Sequence, residues 1–294
     1  MDEIVKAIYR DEAVIYACDI TGMAREMQML HGTYPAATMA LGRTLAGATL
    51  MCSMLKHKKD KLTVNINGGG PAGTLIVTGD QSLNMKAFVA NPTASPEGDP
   101  LNVGKAVGKD GFMTVIKDLG LKAPYVGKVP LETGEIGEDF AQYFYTSEQQ
   151  QAVVYLNTWV ETDLSVVNAG GLIVLPLPEA SREVIDDIAS KIPQIRNYAI
   201  YMMNDDTAGI IKKIFGEGAE ITETLSPRLK CDCSKKRLEE VLISLGRDEI
   251  EDMIEKDKGA EVTCRFCNKK YRFSEDELKK LLEGLSLRCP KTIS

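Results

Sequence analysis

Histidine is almost absent: the 294 residues include two, His31 and His57, and neither stands near a recognisable nucleophile motif. Triad-type hydrolase chemistry therefore has no support. Clustered positive charge is missing too. The formal net charge is −7, and Lys and Arg set against Asp and Glu give −5 for residues 1–178, −2 for 179–230 and zero for 231–294. A nucleic-acid partner calls for basic clusters that displace counterions from phosphates, so none is expected. Long apolar runs free of charge are also lacking. The longest, Pro35 to Leu55, is crowded with Ala, Gly and Thr and carries Arg43 inside it, which predicts a buried helix of a soluble protein and no membrane partner. The opening Met1-Asp2-Glu3-Ile4-Val5 lacks the charged-then-apolar order of a secretory signal, and a cytoplasmic location is expected.

What the chain does hold is enough apolar residue, 44%, for roughly two domains with cores of their own. Residues 4–9 and 13–18 are rich in β-branched and aromatic residues and are parted by Asp11-Glu12, which predicts a hairpin. Helices are expected over 23–30 and 36–55, with Pro35 at a first helical position, and Gly42, Ala46 and Gly47 would admit another element close to the second. Short strands are predicted at 62–66, 74–78, 83–89, 112–116, 125–131, 152–160 and 172–177, with a helix at about 139–149. Strands and helices mix without βαβ alternation, so the class is α+β: a large mixed core domain over 1–178, a helical linker over 179–230 and a small domain over 231–294. Gly68-Gly-Gly-Pro-Ala-Gly73 fits the G-x-G-x-x-G pattern formally. Pro71 and the following Thr74-Leu-Ile-Val77 oppose the helix a nucleotide would need, so a β-turn is expected.

In the linker, Val184, Ile185, Ile188 and Ile192 form an apolar stripe at helical spacing, as do Ile210, Ile211 and Ile214. Such faces pack on a larger domain. In the small domain, Ser234 is expected to cap a helix carrying Leu238, Val241, Leu242 and Leu245, Asp248 with Glu251 to box the next, and Ser274 with Glu277 to cap one bearing Leu278, Leu281, Leu282 and Leu285.

The chemistry lies in four of the seven cysteines, Cys231-x-Cys233 and Cys264-x-x-Cys267, with 30 residues between the pairs. A hairpin would bring four sulfurs to one tetrahedral Zn²⁺, each about 2.3 Å from the ion. Lys235, Lys236, Arg237, Arg265, Lys269, Lys270 and Arg272 stand near enough in sequence to balance the thiolates. A zinc site that never changes is the plain reading. Cys-x-Cys adds another, because its sulfurs are close enough to pair once metal leaves. Local proximity favours Cys231 with Cys233 and Cys264 with Cys267 on oxidation, and such small loops would replace a cross-link spanning about 30 residues and unfold the module. Cys18 and Cys52 lie in apolar runs and read as buried inert thiols, while Cys289 stands near the end as a candidate exposed thiol.

This spacing at the C-terminal end resembles the heat shock protein 33 family, the redox-regulated 33 kDa chaperonins of bacteria. Ala40-Leu-Gly-Arg-Thr44, Lys61-Leu-Thr-Val64 leading into Gly68–Gly73, Val115-Ile-Lys-Asp-Leu-Gly120 and Ser147-Glu-Gln149 agree with it. The resemblance implies a chaperone without catalytic residues: an ATP-independent holdase, inactive when reduced and zinc-bound. Oxidation would unfold the zinc module and linker, favour a homodimer and let exposed apolar surface capture unfolding clients. The zinc and redox-active positions carry over to Cys231, Cys233, Cys264 and Cys267, and the candidate client surface is Ile185, Ile188, Ile210, Ile211 and Ile214. Two rivals remain. A thiol-disulfide oxidoreductase would use Cys264 and Cys267 but leaves Cys-x-Cys unexplained, and a zinc-ribbon nucleic-acid module conflicts with the segment's zero net charge.

Overall fold

A computed structural model describes residues 2–288, which divide into two compact units meeting at Lys230 and Cys231. The first opens on the expected hairpin, β1 (Glu3–Tyr9) and β2 (Ala13–Asp19), turned by Arg10 and Asp11 at φ 48° and 56°. α1 (Thr21–His31) and α2 (Pro35–Cys52) follow, then β3 (Lys61–Asn67), β4 (Leu75–Asp80) and β5 (Asn84–Val89). After the short α3 (Val103–Val107) come β6 (Phe112–Asp118), β7 (Tyr125–Pro130), α4 (Gly137–Ser147), β8 (Val153–Val160) and β9 (Val166–Pro176). The mixed α+β class is as expected.

Why α2 resists amphipathic description is plain from its surroundings. It lies between two sheets, one ordered β5-β4-β3-β6-β7 and the other containing β1-β2-β9-β8, so it is buried on nearly every side. Small residues make this possible. A Cβ on Gly42 would stand 2.4 Å from Thr158 Oγ1 on β8, and one on Gly47 would stand 2.6 Å from the Phe140 ring on α4. Arg43, the helix's charged residue, donates from Nη1 to Glu135 Oε2 (2.6 Å) and to the Glu135 carbonyl (3.1 Å). Asp139 in the first turn of α4 is fully buried, and it accepts backbone N–H bonds from Glu132, Thr133 and Ile136 at 2.8, 3.1 and 2.9 Å.

Beyond Pro178 the chain stays within the first unit. α5 (Arg182–Ser190), α6 (Ile192–Ile195), α7 (Tyr198–Tyr201) and α8 (Thr207–Phe215) cover the face of the β1-β2-β9-β8 sheet turned away from α2. Most of the two amphipathic stripes does as its spacing predicts: Val184, Ile188, Ile210, Ile211 and Ile214 are buried against Val5, Ala7, Ile15, Leu172 and Val174, whereas Ile185 is half-buried and Ile192 is exposed, because α5 ends at Ser190 and Ile192 opens α6. The region is not helical throughout. β10 (Ala219–Leu225) adds to the free edge of β1, and the two-residue β11 (Arg228–Leu229) pairs in parallel with β5. Its flanking amides hold it there, Arg228 N–H on Leu83 C=O (3.1 Å) and Lys230 N–H on Met85 C=O (2.9 Å).

The second unit contains α9 (Lys235–Leu245), α10 (Arg247–Asp257), β12 (Gly259–Thr263), β13 (Lys270–Ser274) and α11 (Glu275–Arg288). Its core is small: Leu242, Ile250, Ile254, Phe273 and Leu278. Ser234 Oγ accepts from Arg237 N–H (3.3 Å), and Ser274 and Glu277 exchange the two bonds of a capping box at 2.9 and 3.3 Å. The Asp248–Glu251 box does not form. Gly246, at φ 100°, closes α9 and begins α10 at once, so Asp248 lies inside the first turn and Glu251 pairs with Arg247 at 2.7 Å.

Candidate metal centre

Two backbone segments present the four sulfurs. Cys231-Asp232-Cys233 is irregular chain leading into the Ser234 cap of α9. Cys264 and Cys267 occupy the turn between β12 and β13, closed by Cys264 N–H on Lys269 C=O (2.9 Å), Cys267 N–H on Cys264 C=O (3.3 Å) and Asn268 N–H on Cys264 C=O (2.8 Å). Asn268 takes the left-handed conformation at φ 54° that such a turn needs.

All four Sγ atoms lie within 4.8 Å of one another. Cys231 Sγ is 3.7 Å from Cys264 Sγ, and Cys233 Sγ is 3.3 Å from Cys267 Sγ. Four sulfurs at about 2.3 Å from a tetrahedral zinc ion would stand about 3.8 Å apart, so the cluster has the size and the soft donor set that the metal requires. Cys264 is buried and the other three are half-buried.

Protonation differs among the thiols. Burial, together with hydrogen bonds shared among the cluster, pushes Cys231 up. For Cys233 burial also acts upward, but hydrogen bonds from the Tyr271 hydroxyl and the neighbouring thiols outweigh it and bring it down to about 7. The Tyr271 oxygen lies 3.2 Å from Cys233 Sγ and 3.0 Å from the Cys233 carbonyl, so its single proton can be given to either. This contact was not anticipated. Its signal in the sequence is the alternation of β13, which puts Tyr271 on the same side as the buried Phe273.

The basic residues expected to balance the thiolates are mostly engaged elsewhere. Lys235 pairs with Glu277 at 2.5 Å, Arg237 with Asp232 at 2.7 Å, and Lys270 and Arg272 with Glu261 at 2.8 and 2.9 Å. Lys269 sits 5.2 Å from the centre of the Tyr271 ring.

Among the other candidates, Ile188, Ile210, Ile211 and Ile214 are buried under the α5–α8 layer and Ile185 is half-buried. None joins the sulfur cluster. Cys18 and Cys52 are fully buried, and burial pushes both thiols up. Cys289 and the side chain of Leu285 lie outside the described residues. The Gly68–Gly73 turn is filled by the chain itself: a Cβ on Gly68 would stand 2.1 Å from the Gly108 carbonyl, leaving no cradle for a phosphate.

A profile of the Hsp33 protein family matches residues 2–274. A protein of Alkaliphilus metalliredigens named 33 kDa chaperonin is 41% identical over 290 residues, which span 96% of this chain and 99% of that one. Another so named, from Alkaliphilus oremlandii, is 44% identical over 272 residues, 91% of each chain. The crystal structure of the 33 kDa chaperonin (heat shock protein 33 homolog) from Thermotoga maritima is similar with a TM-score of 0.87 and 32% identity, covering 96% of this chain and 98% of that chain. Agreement over nearly the whole length, in sequence and in fold, matches the resemblance carried by the short motifs: the chain belongs to the Hsp33 family.

Proposed function

We propose that this protein is an ATP-independent holdase of the cytoplasm that binds unfolding proteins, with Cys231, Cys233, Cys264 and Cys267 as its redox switch. The observation that carries the reading is the convergence of four sulfurs within 4.8 Å of one another in a unit with so small a core. The four side chains would hold Zn²⁺, which when bound supplies a cross-link between the α9 entry and the β12–β13 turn, on the order of 10 kcal/mol of folding free energy. The site is regulatory, with no substrate to turn over.

Oxidation removes the donors. Each disulfide takes two thiols to one S–S bond, releasing two electrons and two protons, and one hydrogen peroxide accepts them to become two waters. Two pairings lead to opposite results. Cys231 with Cys233 and Cys264 with Cys267 would leave the two segments unlinked and the small core unsupported. Cys231 with Cys264 and Cys233 with Cys267, whose sulfurs stand 3.7 and 3.3 Å apart, would keep the segments joined. A switch requires the first pairing, which is the one proposed.

Client surface would come from the α5–α8 layer and the sheet beneath it. If those helices lift, Ile188, Ile210, Ile211 and Ile214 on one side and Val5, Ile15, Leu172 and Val174 on the other become accessible, with Ile185 at the margin. Such newly bared surface also favours a homodimer. One sample tests the scheme: zinc content, disulfide peptide maps and suppression of client aggregation are followed before and after peroxide at raised temperature, then after reductant and zinc. Zinc release with neighbour disulfides and reversible protection supports the reading. Retained zinc without protection, or dominant cross-pairs in a protective form, refutes it.

A further inference from the structure

Tyr271 reaches one of the four sulfurs directly, and strand alternation puts it there. It stands opposite Val262 in the β12–β13 ladder, on the face that also carries Phe273, and both Tyr271 and Val262 pack on the small core. The ring is thereby held, and its hydroxyl oxygen lies 3.2 Å from Cys233 Sγ and 3.0 Å from the Cys233 carbonyl.

A phenol has one proton to give, and here it has two acceptors. Charge decides between them. A sulfur that ligates metal is a thiolate, and hydrogen bonds to ionised acceptors are roughly twice as strong as those to neutral ones, so in the metal-bound state the proton goes to Sγ. Distance agrees: 3.0 Å is long for an O–H···O bond, whereas 3.2 Å is a close approach for an atom as large as sulfur. Two other sulfurs take backbone donors, Cys231 from the Cys233 N–H and Cys267 from the Lys269 N–H. Those are fixed by the path of the chain. The bond to Cys233 belongs to a side chain and can be lost without altering either turn.

We infer that Tyr271 is a positioning residue of the switch, whose hydroxyl donates to the metal-bound Cys233 thiolate, tightens the centre's hold on its ion and slows that sulfur's attack on peroxide. The inference deepens the switch reading and rests on it. A donor on a ligand sulfur draws electron density from it and fixes its orientation, and losing such an outer partner ordinarily costs roughly 10–100-fold in metal affinity. Oxidation draws on the same density. The Cys233 lone pair forms an S–O bond to one peroxide oxygen as the O–O bond breaks and hydroxide leaves. The Cys231 thiolate then attacks the sulfenic acid, forming the S–S bond and expelling a second hydroxide, and two protons from solvent turn both hydroxides to water. The Tyr271 proton must release the sulfur before the first of these steps.

The test uses the full-length reduced protein loaded with cobalt(II) in place of zinc, beside Tyr271→Phe, which keeps the ring and removes one oxygen. In the variant the sulfur-to-cobalt charge-transfer absorption should move to longer wavelength, because a sulfur without its donor gives up charge more readily, while the ligand-field bands keep their tetrahedral form. With zinc loaded instead, competition by a chromophoric chelator should show roughly tenfold weaker binding, and peroxide should release the metal roughly tenfold faster. A hydroxyl that only braced the Cys233 carbonyl would leave the charge-transfer band in place. If the variant does not fold, the parent decides: loaded with a spin-active cadmium isotope, it should show scalar coupling between the metal nucleus and the Tyr271 hydroxyl proton, which arises only across an O–H···S bond. An unmoved band, unchanged chelator competition and peroxide rate, or an observable but uncoupled hydroxyl proton overturns the inference. A parent that takes up no cobalt overturns the four-sulfur centre itself and the inference with it. A parent that takes up cobalt stoichiometrically, with a variant that matches it throughout, overturns the inference alone and leaves the switch reading in place.

Discussion

Ile211 offers a way to open the proposed client surface without touching a cysteine. It is fully buried between α8 and the sheet, in the cluster that also holds Ile210, Ile214, Phe215, Tyr9 and Ile15. The cluster around α2, which joins the two sheets, does not include it. Ile211→Ala removes buried carbon from a site walled by strands that cannot collapse onto the void, and such truncations cost 2–5 kcal/mol. Taking about 3 kcal/mol, and if the α5–α8 layer opens separately from the rest, its open population rises roughly 100-fold. Native-state hydrogen exchange reads this directly: amides of α8 should exchange roughly 100-fold faster while those of β3, β4 and β6 keep their protection. The reduced, zinc-loaded variant should then suppress client aggregation at ratios where the parent does nothing. Equal acceleration in β3, β4 and β6 would show that the layer does not open as a unit. Acceleration confined to α8 with no gain in protection would show that the face it covers is not client surface.

Cys264→Ser should abolish stoichiometric zinc binding and the helical signal of α9–α11 while leaving a cooperative melt for the first unit; a variant that keeps its metal and its circular dichroism would refute a four-sulfur site. Gly47→Ala drives a Cβ to 2.6 Å from the Phe140 ring, an overpacking worth 1–3 kcal/mol, and should lower the melting temperature by several degrees. An unchanged melt would mean that α2 and α4 shift freely. His31 gives a pH dependence. Burial lowers its pKa, partly offset by its Nε2 bond to the Ala87 carbonyl (3.0 Å), so the folded chain binds fewer protons than the unfolded one below about pH 6.5. Its contribution is complete above that value and declines as pH falls towards the folded pKa. His31→Gln should flatten the melting temperature between pH 7.5 and 5.0, and an identical slope would exclude the residue.

How far sequence reasoning reaches depends on whether a feature is set locally. The β1–β2 hairpin, the Ser234 and Ser274 caps and the isoleucine stripes were legible because alternation, capping and helical spacing act within one turn or one strand. The first half of β9 was not. Val166–Gly171 contains Ala169, Gly170 and Gly171, poor strand formers that are held extended by β2 on one side and β8 on the other. β10 was missed for a related reason: Ala219–Leu225 has no strong pattern of its own and is a strand because β1 has an edge to offer. Asp248 failed as a cap because Gly246 ends one helix and starts the next without a spacer.

The cysteine cluster and the edge position of β8 mark the two ends of that scale. Metal ligation demands particular atoms at particular separations, so Cys-x-Cys and Cys-x-x-Cys announce a site even though 30 residues, folded as α9, α10 and β12, separate the two pairs. Tyr271 is one step less visible, since only the pairing of β12 with β13 turns it to Cys233. The β8 edge is invisible. Val153-Val-Tyr-Leu-Asn-Thr-Trp-Val160 would read the same in the middle of a sheet, and its free peptide groups arise from strand order, a property of the whole first unit. Substitutions at the four cysteines should be tolerated by none of the switch's readouts.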